Sequence, residues 1–205
     1  MPKLVVATNN PGKLREFREL LAGSGFELVT PRDLGIDWFV EETGSTFEEN
    51  ARLKAVDAAR RCKMLALADD SGLEVDYLGG RPGIFSARYA GDDRTDTSLS
   101  DEQRYEIVLR ELEGVPDARR TARFRAVIAI ATPEGDVQTV EGVFEGRIAH
   151  EPRGKNGFGY DPIFFVPERG VTSAQLPPDE KNAMSHRGKA ARKAAAILKA
   201  MSHDG

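Results

Sequence analysis

KLVVATNNPGKLREFRELL, residues 3 to 21, decides the fold class. Lys3 to Thr8 is a short β-branched run, the pattern of a buried strand, and it breaks at the turn NNPG. Beyond the turn, Leu14, Phe17, Leu20 and Leu21 recur at helical spacing, with Gly23 and Gly25 to stop the helix. Strand, turn and helix in immediate succession open an α/β layered fold.

The rest of the chain keeps that alternation. Phe26 to Val29 reads as a second short strand, and residues 31–45 as a loop rich in Gly and acidic residues. Thr46 with Glu49 forms a capping-box signature, which predicts a helix from Phe47 to about Lys63. Leu65 to Ala68 reads as a strand that stops at Asp69 and Asp70, and residues 79–98 as an ordered loop. Ser100 with Gln103 caps a further helix carrying the stripe Tyr105, Val108, Leu109 and Leu112. Residues 123–131 and 137–148 flank TPEGD as a β-hairpin, and residues 154–165 form a glycine-rich loop running into a strand. From His186 to Met201 an alanine-rich amphipathic helix turns Ala190, Ala194, Ile197 and Met201 inward. Alternating strands and helices plus one hairpin imply a mixed sheet flanked by helices.

A chain of 205 residues fits one domain with a large core or one domain with two lobes. The net charge of −4 argues against a broad nucleic-acid-binding surface. One cysteine, Cys62, excludes an internal disulfide framework and points to a reducing compartment; within a helix it suits packing better than nucleophilic chemistry. The apolar run of MPKLVVATNN is too short for a signal peptide, and no segment has the length needed to cross a membrane. A soluble cytoplasmic protein is the expectation.

Four segments carry polar groups in patterns that suit a nucleotide. TNNPGK (8–13) brings backbone N–H groups and a helix N-terminus together beside Lys13, an anion site or merely a capped helix start. Glu41, Glu42, Asp69 and Asp70 offer carboxylate oxygens suited to Mg²⁺; the alternative is that DDSG only ends a strand. In GKNGFGYDP (154–162), Phe158 and Tyr160 could present faces to a planar ring or plug the core. Lys181, His186, Arg187 and Lys189 suit phosphate or a base carbonyl, or form a solvated basic helix end. His150 and His203 lack such company. Together the four describe a nucleoside triphosphate site.

ATNNPGKLREF, EETGSTFEENARLKA, ADDSGLEVDYLGGRPGIFSARYAG, GFGYDPIFFVP and EKNAMSHRGKA closely resemble the inosine/xanthosine triphosphate pyrophosphatases over residues 3–199. The resemblance implies an elongated α/β fold, a single domain over residues 1–205 with two lobes about a central active-site cleft, and usually a homodimer. It implies Mg²⁺-dependent hydrolysis of ITP, dITP and XTP to the monophosphate and pyrophosphate. Thr8, Asn10 and Lys13 match the family's phosphate loop, so the whole turn with Asn9, Pro11 and Gly12 is implied to bind substrate. Asp70 is implied as general base and metal ligand, and Glu41 as a metal ligand, the adjacent Glu42 leaving that match ambiguous by one position. Lys54 and Lys181 are implied to contact substrate, as is Ser71. Phe158, Gly159, Tyr160 and Asp161 match the base-stacking loop, and His186 and Arg187 the pair that reads the purine. A pyrophosphatase acting on pyrimidine or modified-base nucleotides and a non-catalytic nucleotide binder are the competing readings; a nucleic-acid-binding module fits the charge less well.

Overall fold

The computed structural model describes residues 1–202, so His203 lies outside the described residues. Its elements in chain order are β1 (Lys3–Val6), α1 (Pro11–Leu20), β2 (Glu27–Val29), α2 (Phe47–Cys62), β3 (Ala66–Val75) and α3 (Asp101–Glu111). There follow β4 (Thr121–Ala131), β5 (Val137–Ile148), β6 (Phe164–Val166), β7 (Val171–Thr172), α4 (Pro178–Met184) and α5 (His186–Met201). The strands form a mixed sheet in the order β2-β1-β3-β4-β5-β6-β7. β1 pairs in parallel with β2 and with β3, whereas β5–β6 and β6–β7 are antiparallel. No helix among the described residues is long and apolar enough to cross a membrane.

The helix starts follow the signals in the sequence. Asn10 caps α1 by accepting from the Lys13 amide at 3.1 Å, with Pro11 at the first helical position. Thr46 caps α2 by accepting from the Glu49 amide, and the Glu49 carboxylate reaches back to the Ser45 amide at 2.6 Å. Ser100 and Gln103 complete a reciprocal capping box on α3.

Two compact units make up the chain. The first contains residues 1–70, 126–142 and 187 onward. In its core Phe17 and Leu21, Leu4 and Val6, Leu67, Ile128 and Ile130 meet the alanine face of α5 (Ala190, Ala191, Ala194) and Leu198. The small alanines let the helix approach closely; Ile197 and Met201 are only partly buried at its edge. The second unit contains residues 71–125 and 143–186, and its core centres on Leu73, Tyr89, Leu112, Phe124, Phe144, Phe164 and Ile163.

One expectation is corrected. The strand read as ending at Ala68 continues through Asp69, Asp70, Ser71 and Gly72 to Val75. Gly72 does not break it, because its missing side chain admits a close neighbour: a Cβ there would lie 2.4 Å from both the Gly83 carbonyl oxygen and Ser86 Oγ. Ser86 Oγ accepts from the Leu73 amide at 2.9 Å and donates to the Gly83 carbonyl at 2.6 Å. A loop hydroxyl thus serves the strand backbone. Gly72→Ala is expected to cost about 1–3 kcal/mol through overpacking, read as a lower urea midpoint; an unchanged midpoint would show that the 83–86 turn gives way freely.

What stops near the acidic pair is β1. Its register with β3 ends at Val6↔Leu67, followed by a bond from the Ala7 amide to the Leu67 carbonyl at 2.8 Å. Asp69 and Asp70 therefore lie just past the carboxyl end of the neighbouring parallel strand, where α/β sheets place their ligand sites.

Candidate active site

In the first unit, the turn after β1 is built by the side chains that the sequence nominated. Thr8 Oγ accepts from the Asn10 amide at 3.1 Å, and Asn10 Oδ1 serves the Lys13 amide. These side chains shape the turn and cap the positive end of α1. Lys13 Nζ leaves that turn for Asp69 Oδ1 at 3.1 Å.

Asp69 and Asp70 point into different surroundings, as successive residues of a strand must. Asp69 is 2% exposed and lies between Lys13 and the Arg187 guanidinium, 3.4 Å from its Oδ2. Arg187 is in turn held by Glu16 on α1, Nη1 to Oε2 2.6 Å. Burial pushes the Asp69 carboxyl up, but Lys13 and Arg187, with Lys54, outweigh it and hold it well below the usual range. Lys13 pays the other side of the pairing: burial drives its ammonium below the ordinary lysine value despite Asp69, with Lys54 and Arg187 adding repulsion.

Asp70 faces Lys54 and Glu42. Lys54 Nζ donates to Asp70 Oδ1 at 3.2 Å and to Glu42 Oε2 at 3.3 Å, bridging two carboxylates. Asp70 Oδ2 is buried and receives no N–H or hydroxyl donor from the described residues. Burial pushes the Asp70 carboxyl up to about 7; Lys54 opposes that and Glu42 reinforces it. Glu42 moves the other way: burial pushes it up, and Lys54 and the contact with Asp70 bring it below the ordinary value. Lys54 is raised, since Asp70 and Glu42 overcome its desolvation. One carboxylate stays ionised and its neighbour holds a proton near neutrality.

Of the two adjacent glutamates, the structure brings Glu42 to Asp70 and leaves Glu41 exposed. Among the described residues no group of three His, Cys, Asp or Glu side chains is placed to hold a metal ion. Two carboxylates with an undonated oxygen nevertheless fit Mg²⁺, which keeps several waters and takes further ligands from phosphate.

In the second unit, Ser71 follows on β3, half-buried. The glycine-rich segment is pinned by Asp161, whose buried carboxylate accepts from the Phe158 amide at 3.0 Å, Ser173 Oγ at 2.9 Å and Lys181 Nζ at 2.6 Å. Gly157 makes room for it, since a Cβ there would fall 2.1 Å from Asp161 Oδ2. Lys181 Nζ also sits 5.0 Å from the centroid of the half-buried Phe158 ring. Tyr160 is buried and donates to the Ser86 carbonyl at 2.6 Å, while the Gly159 amide donates to Asp101. The two aromatics thus divide: Tyr160 fills the core and Phe158 keeps an accessible ring. His186 is buried and stacked on Phe124, 4.8 Å between centroids.

Sequence reasoning missed Glu16. Its signal was a carboxylate one position before the buried Phe17 and three after Lys13, on the face of α1 that turns inward. Arg187, which the resemblance implies as a purine reader, faces the buried carboxylates of Glu16 and Asp69.

Comparison with known proteins identifies the family. The model of the Ham1 family matches residues 4–197. The chain is 48% identical to a dITP/XTP pyrophosphatase of Bacillus subtilis (strain 168), with 98% of each chain covered. It is 52% identical to a dITP/XTP pyrophosphatase of Geobacillus kaustophilus (strain HTA426), covering 94% of this chain and 92% of the relative. The solved structure of a HAM1 protein from Coxiella burnetii superposes with a TM-score of 0.85 at 44% identity, covering 97% of this chain and 98% of that one. Matched in sequence and in fold along nearly its whole length, the chain belongs to the Ham1 family.

Proposed function

We propose that this protein hydrolyses non-canonical purine nucleoside triphosphates (dITP, ITP and XTP) to the monophosphate and pyrophosphate, removing them from the nucleotide pool. Relatives sharing about half of its residues carry the name dITP/XTP pyrophosphatase. The observation that carries the chemistry is Asp70: a buried carboxyl near neutrality, one oxygen on Lys54 and the other without a donor.

A carboxylate of that proton affinity is matched to general-base work at pH 7. Asp70 takes a proton from water as the water oxygen bonds to the α-phosphorus; the bond from that phosphorus to the bridging oxygen breaks, and pyrophosphate leaves. Glu42, ionised beside it, and Asp70 are the residues that would hold Mg²⁺, which supplies charge neutralisation and Lewis-acid polarisation of phosphate oxygens. Lys54 and Lys13 offset negative charge on the triphosphate, and the turn 8–13 with the α1 N-terminus orients it.

Base selection is a property of the second unit in this reading. Phe158 offers a ring face with Lys181 Nζ over it, and His186, stacked on Phe124, is the base-reading side chain that the family resemblance implies. A 6-oxo purine accepts where adenine donates, so donors favour the former and leave a buried mismatch with ATP. The proposal extends, on the family resemblance, to a cytoplasmic homodimer.

Pyrophosphate release measured with dITP, XTP, ATP and GTP, with Mg²⁺ and with EDTA, tests the reading. The expected kcat/KM for dITP and XTP exceeds that for ATP by at least about 100-fold, and EDTA abolishes turnover. Comparable cleavage of ATP would refute the substrate class.

A further inference from the structure

Residues 36–44 pair with no strand, yet they alternate strictly: Ile36, Trp38, Val40, Glu42 and Gly44 are turned inward, and Asp37, Phe39, Glu41 and Thr43 are exposed. In extended chain a slip of one residue exchanges the two faces. Which glutamate meets Asp70 is therefore a question of register, and register needs anchors.

Two anchors are present. Trp38 is 7% exposed; its indole N–H donates to Asp57 Oδ2 on α2 at 2.9 Å, and its carbonyl accepts from Asn9 Nδ2 of the turn after β1 at 3.1 Å. At the far end the Gly44 amide donates to Asn50 Oδ1 at 2.8 Å, so closely that a Cβ on Gly44 would fall 2.7 Å from that oxygen. Glu42 lies between, an even number of residues from each. Asn9, read from sequence as a substrate contact, here ties its turn to the acidic segment.

We propose that Trp38 is a positioning residue that sets the register of residues 36–44 and thereby presents Glu42, rather than Glu41, to Asp70 and the divalent cation. The cation half of this statement rests on the function proposed above; the register half stands on the hydrogen bonds alone.

Trp38→Phe keeps an aromatic ring and deletes the indole donor; Asp57→Ala removes its acceptor from the α2 surface and serves if the first variant fails to fold. Two readouts separate the two halves. In the metal-free protein, hydrogen exchange at the Ile36 and Gly44 amides is expected to quicken about fivefold, with β3 to β5 unchanged. Unchanged exchange at these amides overturns the proposal whatever the metal does. Mn²⁺ alone, followed through the electron paramagnetic resonance of the free ion, is expected to bind about five- to tenfold more weakly to either variant. That loss persists in a Glu41→Gln background and vanishes in Glu42→Gln. Coupling to Glu41 instead overturns the proposal. Faster exchange with Mn²⁺ binding indifferent to both glutamates upholds the register and refutes the metal reading.

Discussion

Asp70→Asn is expected to lower kcat for dITP by about 10²–10⁴-fold and, at pH 8 without metal, to make the protein more stable. The two effects share one cause. Burial, with Glu42 beside it, pushes the Asp70 carboxyl up to about 7 against the pull of Lys54. Between about 3.9, the unfolded value, and about 7, the native state holds a proton that the unfolded chain has released. Stability from this group is fully present below that window and is lost as pH rises through it. Asparagine removes the titration but also half of Lys54's pairing, so the expected gain at pH 8 is about 1–2 kcal/mol, below what the shift alone implies. Thermal melts in EDTA from pH 5 to pH 8, set beside pyrophosphate release, check both. A variant that keeps more than a tenth of wild-type turnover removes Asp70 from the base role, and a melt that falls with pH as steeply as wild type removes it as the group responsible.

Local signals carried the fold: caps at Thr46 and Ser100 sit where the sequence put them, and Asn10 caps the helix start read in TNNPGK, because each solves a problem within four residues. The path of β3 through Asp69 to Gly72 was not legible, since in local terms DDSG is a turn signal. Its strand conformation depends on Ser86, Lys13, Lys54 and Arg187, partners 13 to 118 residues away in the chain. The same holds for the site. Residue type and spacing nominated Lys13 and the acidic pair, and the family resemblance added Lys54 and singled out Asp70; in the structure Lys13 meets Asp69 and Lys54 meets Asp70. Composition cannot say which of two adjacent glutamates turns inward, nor that Arg187 meets Glu16; those follow from register and from one helix face meeting another.

Asp69→Asn tests the other half of the acidic pair. The substitution keeps shape and removes one charge from a buried set in which Lys13 and Arg187 face Asp69 and Glu16. Arg187 retains Glu16 at 2.6 Å, but Lys13 loses its ion pair at 3.1 Å. Breaking one side of a buried pair costs about 3–5 kcal/mol, and that is the expected loss at pH 7 by urea denaturation. Lys13 limits it: burial already drives its ammonium below the ordinary lysine value, so without Asp69 it can escape by releasing a proton. The sign with pH is opposite to that of Asp70. Lys13 and Arg187 overcome burial and hold the Asp69 carboxyl well below its unfolded value, so its stabilisation is present above about pH 4 and is lost as pH falls toward the depressed native value. The gap between wild type and Asp69→Asn should therefore narrow in acid, while turnover falls through weaker triphosphate binding as Lys13 loses its charge. A loss under about 1 kcal/mol, constant from pH 7 to pH 4, would mean that the pair contributes no more than a surface salt bridge.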